Sequence, residues 1–178
     1  NSFKKYKNKI NNHINVNEIS IYKFDKEKVK FPNIEKAHVS EATYYRLYIE
    51  EHIPKNINYL FYLDPDVICL KNPESQLHKL INNLSKSKFV IAAHTEALDQ
   101  AKRRFQELKM QNNTYFNAGV MLIDFQKWLN QNTSVNLLKQ LDDIEEKIEL
   151  WDQDVLNAYF DGKFLELGQE LNYMNTYI

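Results

Sequence analysis

A short apolar run that ends in two closely spaced aspartates constrains this sequence most. The run is Tyr59–Leu63, written YLFYL, and Asp64-Pro65-Asp66 follows it directly. Five strand-forming residues without a polar interruption predict a strand covered on both faces, as in an α/β sheet. Side chains at i and i+2 of an extended segment point to the same side, so we expect the two carboxylates to project together. A hard divalent cation would relieve their mutual repulsion.

The aspartate pair also has a simpler interpretation as a polar turn after a buried strand, because Asp and Pro are ordinary turn residues. An EF-hand is excluded, because the glycine and the closing glutamate of that loop are missing at the required offsets. Ligands of open α/β sheets bind outside the carboxyl ends of strands, which is where this pair lies. The metal interpretation therefore depends on which other residues reach the same place.

Charge, length and cysteine content restrict the class of protein. The 178 residues carry 23 basic and 24 acidic side chains, a balance that does not predict a nucleic-acid partner. This length suits one domain with a substantial core, and we predict a single domain over residues 1–178. Cys69 is the one cysteine, and we expect a buried thiol, which is compatible with a reducing cytoplasm. No apolar run is long enough for a transmembrane segment.

A predicted helix immediately before the aspartate strand carries an arginine. The segment from Glu41 to about His52 has helical character and stops before Pro54. An arginine on such a helix is usually a solvated residue. Because this helix leads directly into the strand at Tyr59, Arg46 is placed within reach of the cleft beside the aspartates.

Two later segments can bring polar groups to the same cleft. Asn117-Ala118-Gly119 opens a second buried strand, and a glycine there lets the backbone approach a ligand closely, although a plain strand entry fits equally well. Asp152-Gln153-Asp154 begins a predicted helix, where carboxylates also stabilise the helix dipole. The other predicted elements are helices over 3–10, 74–84, 97–110, 127–129 and 135–148 and strands over 18–24, 88–93 and 163–167.

Four separated motifs together resemble those of glycosyltransferase family 8. They are Tyr45-Arg46-Leu47, YLDPDVI, YFNAGVMLI with Trp128 after it, and DQDVLN, in the order and approximate spacing of that family. The resemblance extends from about residue 39 to residue 173 and points to bacterial lipopolysaccharide galactosyl- and glucosyltransferases, with glycogenin as a more distant relative. It implies an α/β fold of the GT-A type, with a mixed, mainly parallel sheet flanked by helices.

The resemblance also implies roles for individual residues. Asp64 and Asp66 match the metal-binding pair of the family, and Asp64 is shared with the ribose of the donor. Arg46 matches an arginine that contacts the donor. The remaining matches are the loop that lines the sugar pocket, Asn117, Ala118 and Gly119, and the residues beneath the transferred sugar, Asp152 and Gln153, with Gln153 as a possible nucleophile or front-face stabiliser.

The activity that the resemblance implies is retaining transfer of a hexose from a UDP-sugar to a saccharide or glycoconjugate acceptor, with Mn²⁺ or Mg²⁺ as cofactor. The alternative is a non-catalytic remnant or sugar-nucleotide-binding module of the same fold. The family's opening base-binding strand and its terminal histidine ligand have no counterpart in the sequence. We therefore expect the central part of a longer domain, truncated at both ends, in the cytoplasm or at the inner face of the membrane through peripheral association.

Overall fold

The structure of the protein, a computed structural model, describes residues 20, 22, 24–25, 31–32, 41–97 and 101–173. The chain divides into two compact units, residues 1–30 and 31–178. All helices and strands given below lie in the second unit. The predicted helix over 3–10 lies outside the described residues, as does most of the predicted strand over 18–24. These two elements and the single domain stay predictions.

A mixed sheet forms the centre of the second unit. Its described strands are β1 (Tyr59–Leu63), β2 (Ile91–Thr95), β3 (Phe116–Asp124) and β4 (Leu165–Glu166). They lie in the order β1-β3-β2-β4. β3 pairs antiparallel with both β1 and β2, and β4 pairs parallel with β2.

Strand direction is where the sheet departs from its prediction. β1, β2 and β4 share one direction, but β3 runs against them between β1 and β2. Two of the three pairings among the described strands are therefore antiparallel. The expectation of a mixed sheet is confirmed, and the expectation of mainly parallel pairing is wrong for these four strands. An apolar run specifies a strand, but it carries no information about which strand lies beside it.

β3 is the strand that is covered on both faces. Its side chains alternate between two apolar clusters, with Met121 and Ile123 in one and Val120 and Leu122 in the other. β1 lies at the edge of the described sheet and is only half-buried, with Leu63 exposed. Its side chains nevertheless pack against the apolar clusters on both faces, Leu60 and Tyr62 on one face and Tyr59 and Phe61 on the other. The predicted cover on both faces is therefore present but partial, and the bounds of the strand are confirmed.

Helices cover both faces of the sheet. Leu80 and Leu84 pack from one helix onto the Val120 face, while Leu137 and Val155 come from helices on the other face. A 3₁₀ helix, Glu41–Tyr48, continues into α1. The α-helices are α1 (Ile49–His52), α2 (Glu74–Lys86), α3 (Ala101–Glu107), α4 (Phe125–Asn130), α5 (Thr133–Ile144) and α6 (Trp151–Phe160).

Side-chain hydrogen bonds mark where two of these helices begin. Asn72 accepts a hydrogen bond from the Glu74 amide at 2.9 Å, which forms an Asx-turn just before α2. Asp124, the last residue of β3, accepts one from the Lys127 amide at 3.0 Å and so starts α4.

None of the helices in the described ranges is long and apolar enough to cross a membrane.

Candidate active site

The register of the sheet brings the predicted motifs together. Leu63 at the end of β1 lies opposite Val120, and the Asp64 amide donates to the Gly119 carbonyl at 2.8 Å. At the end of β2, His94 lies opposite Asn117. Because β1 and β2 both run against β3, their carboxyl ends meet the amino end of β3. This is the edge of a sheet at which open α/β folds bind ligands.

A cavity of about 330 Å³ opens at this edge. All eight site residues predicted from the sequence line it, and they come from four separate segments of the chain. Its volume is within the range of small-molecule pockets. The lining residues are Thr43, Arg46, Asp64, Asp66, Val67, Asn117, Ala118, Gly119, Val120, Leu150, Trp151, Asp152, Gln153 and Asn172.

Arg46 connects three of these segments. Its Nη2 lies 3.1 Å from Asp64 Oδ1, its Nη1 donates to the Ala118 carbonyl at 2.5 Å, and its Nε lies 2.6 Å from Asp152 Oδ2. The side chain is only 9% exposed, so the alternative interpretation of Arg46 as a solvated residue does not hold. Every nitrogen of the guanidinium has a protein partner, and Arg46 links Asp64 to Asp152.

The two oxygens of Asp64 have different surroundings. Oδ1 accepts hydrogen bonds from the Tyr62 hydroxyl at 2.6 Å and from Arg46. Oδ2 faces Gly119, where an added Cβ would approach it to 3.1 Å and would approach Asn117 Oδ1 to 3.0 Å. The absence of a side chain at Gly119 therefore keeps Asp64 Oδ2 clear, which is the close approach that the Asn-Ala-Gly segment predicts.

The loop after Asp64 is solvent-exposed. Asp66 lies on the rim of the cavity, and no described residue donates a hydrogen bond to its carboxylate. Ile68 is 78% exposed and Leu70 is 88% exposed. Cys69 is also exposed, so the prediction of a buried thiol is wrong. The apolar residues around Cys69 favour burial, but this segment does not pair with any described strand.

The first half of β3 gets its hydrogen bonds from side chains. β1 pairs only with Val120–Asp124, so no described strand lies on that side of the backbone of residues 116–119. Gln153 Oε1 accepts from the Ala118 amide at 2.9 Å, and Asn157 exchanges two hydrogen bonds with the backbone of Phe116. These two amides lie four residues apart on α6, one turn of helix. The spacing within DQDVLN thus has a structural reason besides any chemistry.

Asp152 is a buried charge at the bottom of the cavity. Its residue is 2% exposed, and Arg46 is its ion-pair partner. Burial raises the pKa of Asp152 from 3.8 to about 6; Arg46 lowers this pKa and the Asp64 charge raises it. At neutral pH the carboxylate is therefore ionised in most molecules.

Asp154, two residues further on, belongs to the core rather than to the cavity. Its Oδ2 lies 2.5 Å from Arg104 Nη2 and accepts from the Glu149 and Leu150 amides, while Oδ1 accepts from the Tyr115 hydroxyl. Side chains at i and i+2 of a helix point about 200° apart, so only one of the two aspartates can face the cavity. The helix-start role considered for these carboxylates applies to Asp154.

The donor set at the rim fits part of an oxygen shell for a divalent cation. Asp64 Oδ2 and the exposed Asp66 are hard oxygen ligands, and Mg²⁺ is commonly held by one or two carboxylates together with substrate phosphates. Across the described residues, no group of three His, Cys, Asp or Glu side chains lies close enough to hold a metal. A cation at this rim would need further ligands besides Asp64 and Asp66.

Comparison with known proteins relates the whole sequence to one family. The family model described as glycosyl transferase family 8 matches residues 1–178. The chain belongs to glycosyl transferase family 8. Curated relatives of this family-8 chain include General stress protein A of Bacillus subtilis (strain 168), which is 33% identical over 153 residues, or 82% of this chain and 49% of that protein.

Two other relatives carry names that describe transfer of sugars. The lipopolysaccharide 1,2-glucosyltransferase of Escherichia coli (strain K12) is 28% identical over 77% of this chain and 41% of its own length. The lipopolysaccharide 1,3-galactosyltransferase of Salmonella typhimurium is 28% identical over 87% of this chain and 46% of its own length. The family-8 chain spans about half the length of the curated relatives it matches.

Solved structures establish the fold of the family-8 chain. A crystal structure of the galactosyltransferase LgtC with donor and acceptor sugar analogues aligns with a TM-score of 0.61 and 24% identity, over 77% of this chain and 48% of that one. The glycosyltransferase GlyE of Streptococcus pneumoniae TIGR4 aligns with a TM-score of 0.54 and 23% identity, over 77% and 29% of the two chains. The predicted GT-A fold is confirmed.

Sequence reasoning missed several residues of this family-8 site. Glu96 Oε2 accepts hydrogen bonds from Gln153 Nε2 at 3.1 Å and from Asn117 Nδ2 at 3.3 Å. Asn172 donates to Asn117 Oδ1 at 3.2 Å from the segment after β4. Nothing in the local sequence around Glu96 or Asn172 indicates these contacts, because both join residues that are far apart in the sequence. For Tyr62 a signal did exist, since it lies two residues before Asp64 on the same side of the strand.

Proposed function

We propose that the chain is the donor-binding part of a retaining, metal-dependent hexosyltransferase that moves a hexose from a UDP-sugar to a saccharide or glycoconjugate acceptor. One observation carries this proposal: polar groups from four segments converge on a single cavity of about 330 Å³. Membership of family 8 and relatives that are named glucosyl- and galactosyltransferases support a hexose donor.

Asp64 and Asp66 would hold Mn²⁺ or Mg²⁺ at the rim of the cavity. A cation there supplies Lewis-acid stabilisation of the negative charge that accumulates on a departing diphosphate. Gly119 leaves Asp64 Oδ2 accessible, and the exposed position of Asp66 suits a ligand that completes its shell with oxygens of the donor. Through such a cation the two aspartates would hold the diphosphate of the donor.

Arg46 orients the acidic groups and does not itself have to reach the donor. Its contacts with Asp64, Ala118 and Asp152 fix the rim relative to the bottom of the cavity. A charged brace of this kind stabilises two carboxylates that would otherwise repel each other. We propose that the arginine matched by the family motif acts here by positioning Asp64.

Gln153 and Asp152 lie at the end of the cavity where the sugar would bind. The Gln153 amide is held at both ends, by the Ala118 amide on Oε1 and by Glu96 on Nε2. An amide oxygen is a weak nucleophile and this one already accepts a hydrogen bond, which favours stabilisation of the front face over covalent attack. In a front-face mechanism the leaving phosphate takes the acceptor proton, and the negative charge of Asp152 stabilises positive charge on the sugar ring.

Release of UDP from a UDP-hexose in the presence of Mn²⁺ tests the proposed activity. We expect release that depends on Mn²⁺ and is lost in Asp66→Ala, since that variant removes an exposed metal ligand without touching the core. Equal release by the wild type and by Asp66→Ala would contradict the proposal. The cytoplasmic location remains a prediction.

A sugar-nucleotide-binding module without catalysis is the second candidate. It is favoured by the two hydrogen bonds that occupy both ends of the Gln153 amide, because they give this side chain a structural role that needs no chemistry. Such a module would bind UDP with Mn²⁺ and release no UDP from the sugar donor. Measuring binding and release on the same preparation separates the two functions.

A further inference from the structure

Tyr62 lies next to the proposed metal site without being one of its ligands. It precedes Asp64 by two residues in extended backbone, so both side chains are on the same side. The Tyr62 hydroxyl donates to Asp64 Oδ1 at 2.6 Å, and the guanidinium carbon of Arg46 lies 4.3 Å from the centre of the Tyr62 ring. The ring therefore supports the same arginine that also contacts Asp64 Oδ1.

This arrangement distinguishes the two oxygens of one carboxylate. Oδ1 has two donors, Tyr62 and Arg46, whereas Oδ2 faces the open space left by Gly119. Two donors on one oxygen restrict rotation of the carboxylate about χ2. The same oxygen is then presented to the cavity in each molecule, before any ligand binds.

We propose that Tyr62 is a positioning residue for the metal site: its hydroxyl holds Asp64 Oδ1, so that Oδ2 is the oxygen presented to a divalent cation. The inference rests on the proposed function, because it takes Asp64 and Asp66 as the metal ligands. Groups that hydrogen-bond to a metal-ligating carboxylate orient it, and replacing them commonly costs about 10- to 100-fold in metal affinity.

The geometry of the phenol is consistent with this role. Its hydroxyl donates to Asp64 Oδ1 at 2.6 Å, and its ring lies 4.3 Å from the guanidinium carbon of Arg46. A phenylalanine at this position would keep the ring beneath Arg46 and remove only the donor.

The test is a titration with Mn²⁺, followed by electron paramagnetic resonance of the free ion, on the wild type, Tyr62→Phe, Asp66→Ala and Tyr59→Phe. Tyr59 is on the same strand, and losing its hydroxyl is a matched control. We expect Tyr62→Phe to bind Mn²⁺ about 10- to 100-fold more weakly than the wild type, and Tyr59→Phe to bind it within twofold. Mn²⁺ affinity within twofold of the wild type in Tyr62→Phe overturns the inference.

Asp66→Ala separates failure of the inference from failure of the proposed function. If Asp66→Ala loses Mn²⁺ binding while Tyr62→Phe keeps it, only the positioning role of Tyr62 is wrong. If the wild type and Asp66→Ala bind Mn²⁺ equally, the metal site is wrong and the inference falls with it. Thermal unfolding in EDTA completes the set: a markedly lower Tm for Tyr62→Phe than for Tyr59→Phe would assign Tyr62 a structural role instead.

Discussion

The molecule contains two Asp-x-Asp triplets, and their surroundings differ in almost every respect. Asp64 and Asp66 lie at a turn directly after a strand, where the Val67 amide donates to the Asp64 carbonyl at 3.2 Å, and both line the cavity. The polar turn and the cavity position therefore hold together, and the extended backbone predicted for this triplet is not observed. Asp152 and Asp154 begin a helix, where the same spacing sends one side chain to the cavity and the other to the core. The backbone conformation of the triplet, and not its amino-acid sequence, decides which carboxylates can act together.

The two triplets also differ in the solvent exposure of their second aspartate. The exposed Asp66 has no donor among the described residues, whereas Asp154 is fully buried and is satisfied by Arg104, Tyr115 and two backbone amides. A metal needs carboxylate oxygens that are still available. The strand triplet offers them, and the helix triplet uses its second aspartate to hold the loop that leads into α6.

The largest effect is expected from the helix triplet. Asp154→Ala should lower the free energy of unfolding by about 3 to 5 kcal/mol, because it breaks a buried ion pair with Arg104 and leaves the Tyr115 hydroxyl and two backbone amides without their acceptor. Urea denaturation measures this, with Asp66→Ala as the exposed control, which should change stability by less than about 0.5 kcal/mol. Similar losses in the two variants would remove the distinction between a core aspartate and a rim aspartate.

Asp152 should make stability depend on pH in the acidic range. Because burial raises its pKa from 3.8 to about 6, the folded protein binds this proton more tightly than the unfolded chain does. The stabilisation is therefore present below pH 4 and is lost as pH rises to about 6, a change of about 3 kcal/mol. Unfolding measured from pH 4 to pH 7 should show this fall in the wild type, with a smaller fall in Asp152→Asn. Parallel curves would mean that Asp152 titrates normally.

A substitution in the strand triplet should change ligand binding and leave the stability of the unliganded protein unchanged. UDP with Mn²⁺ at about a hundred times its dissociation constant should stabilise the wild type by roughly 2.7 kcal/mol. Asp66→Ala should lose this stabilisation and keep the unliganded Tm, because its side chain is exposed. Thermal unfolding with UDP, with and without Mn²⁺, measures both quantities. An equal shift in the variant would place the metal somewhere else.

The smallest effect is expected beside Asp66. Cys69 is exposed, so it should react with a thiol reagent in the folded protein at the rate of a free cysteine, and Cys69→Ser should change stability by less than about 0.5 kcal/mol. Labelling is followed by absorbance with and without urea. Reaction only after unfolding would show that the rim loop is covered in solution.

Local patterns allowed much of this molecule to be predicted. The strand Tyr59–Leu63 has its predicted bounds, because it is an uninterrupted run of strand formers that ends at Asp64-Pro65. The predicted helix over 74–84 is observed as Glu74–Lys86, because it follows Asn72-Pro73 and has leucines at helical spacing. The site residues could be assigned to one site because the family resemblance implied that they lie close together. A motif comparison transfers long-range contacts that local rules cannot provide.

Long-range pairing is what the sequence could not reveal. β2 begins at Ile91 rather than at the predicted residue 88 and continues to Thr95, because its pairing with β3 sets its bounds. The reversed direction of β3 follows from the same cause. Glu96 enters the site only through that pairing, and its contact with Gln153 joins residues 57 positions apart. Local sequence propensities carry no information about such long-range contacts.

Anomalous diffraction at the manganese edge, from crystals grown with UDP and Mn²⁺, tests the central claim most directly. The claim is that the strand triplet holds the cation while the helix triplet supplies the bottom of the cavity and the core. We predict one strong peak between Asp64 and Asp66, with Asp64 contributing Oδ2. A peak at Asp152, or no peak at the rim under saturating Mn²⁺ and UDP, would contradict the account.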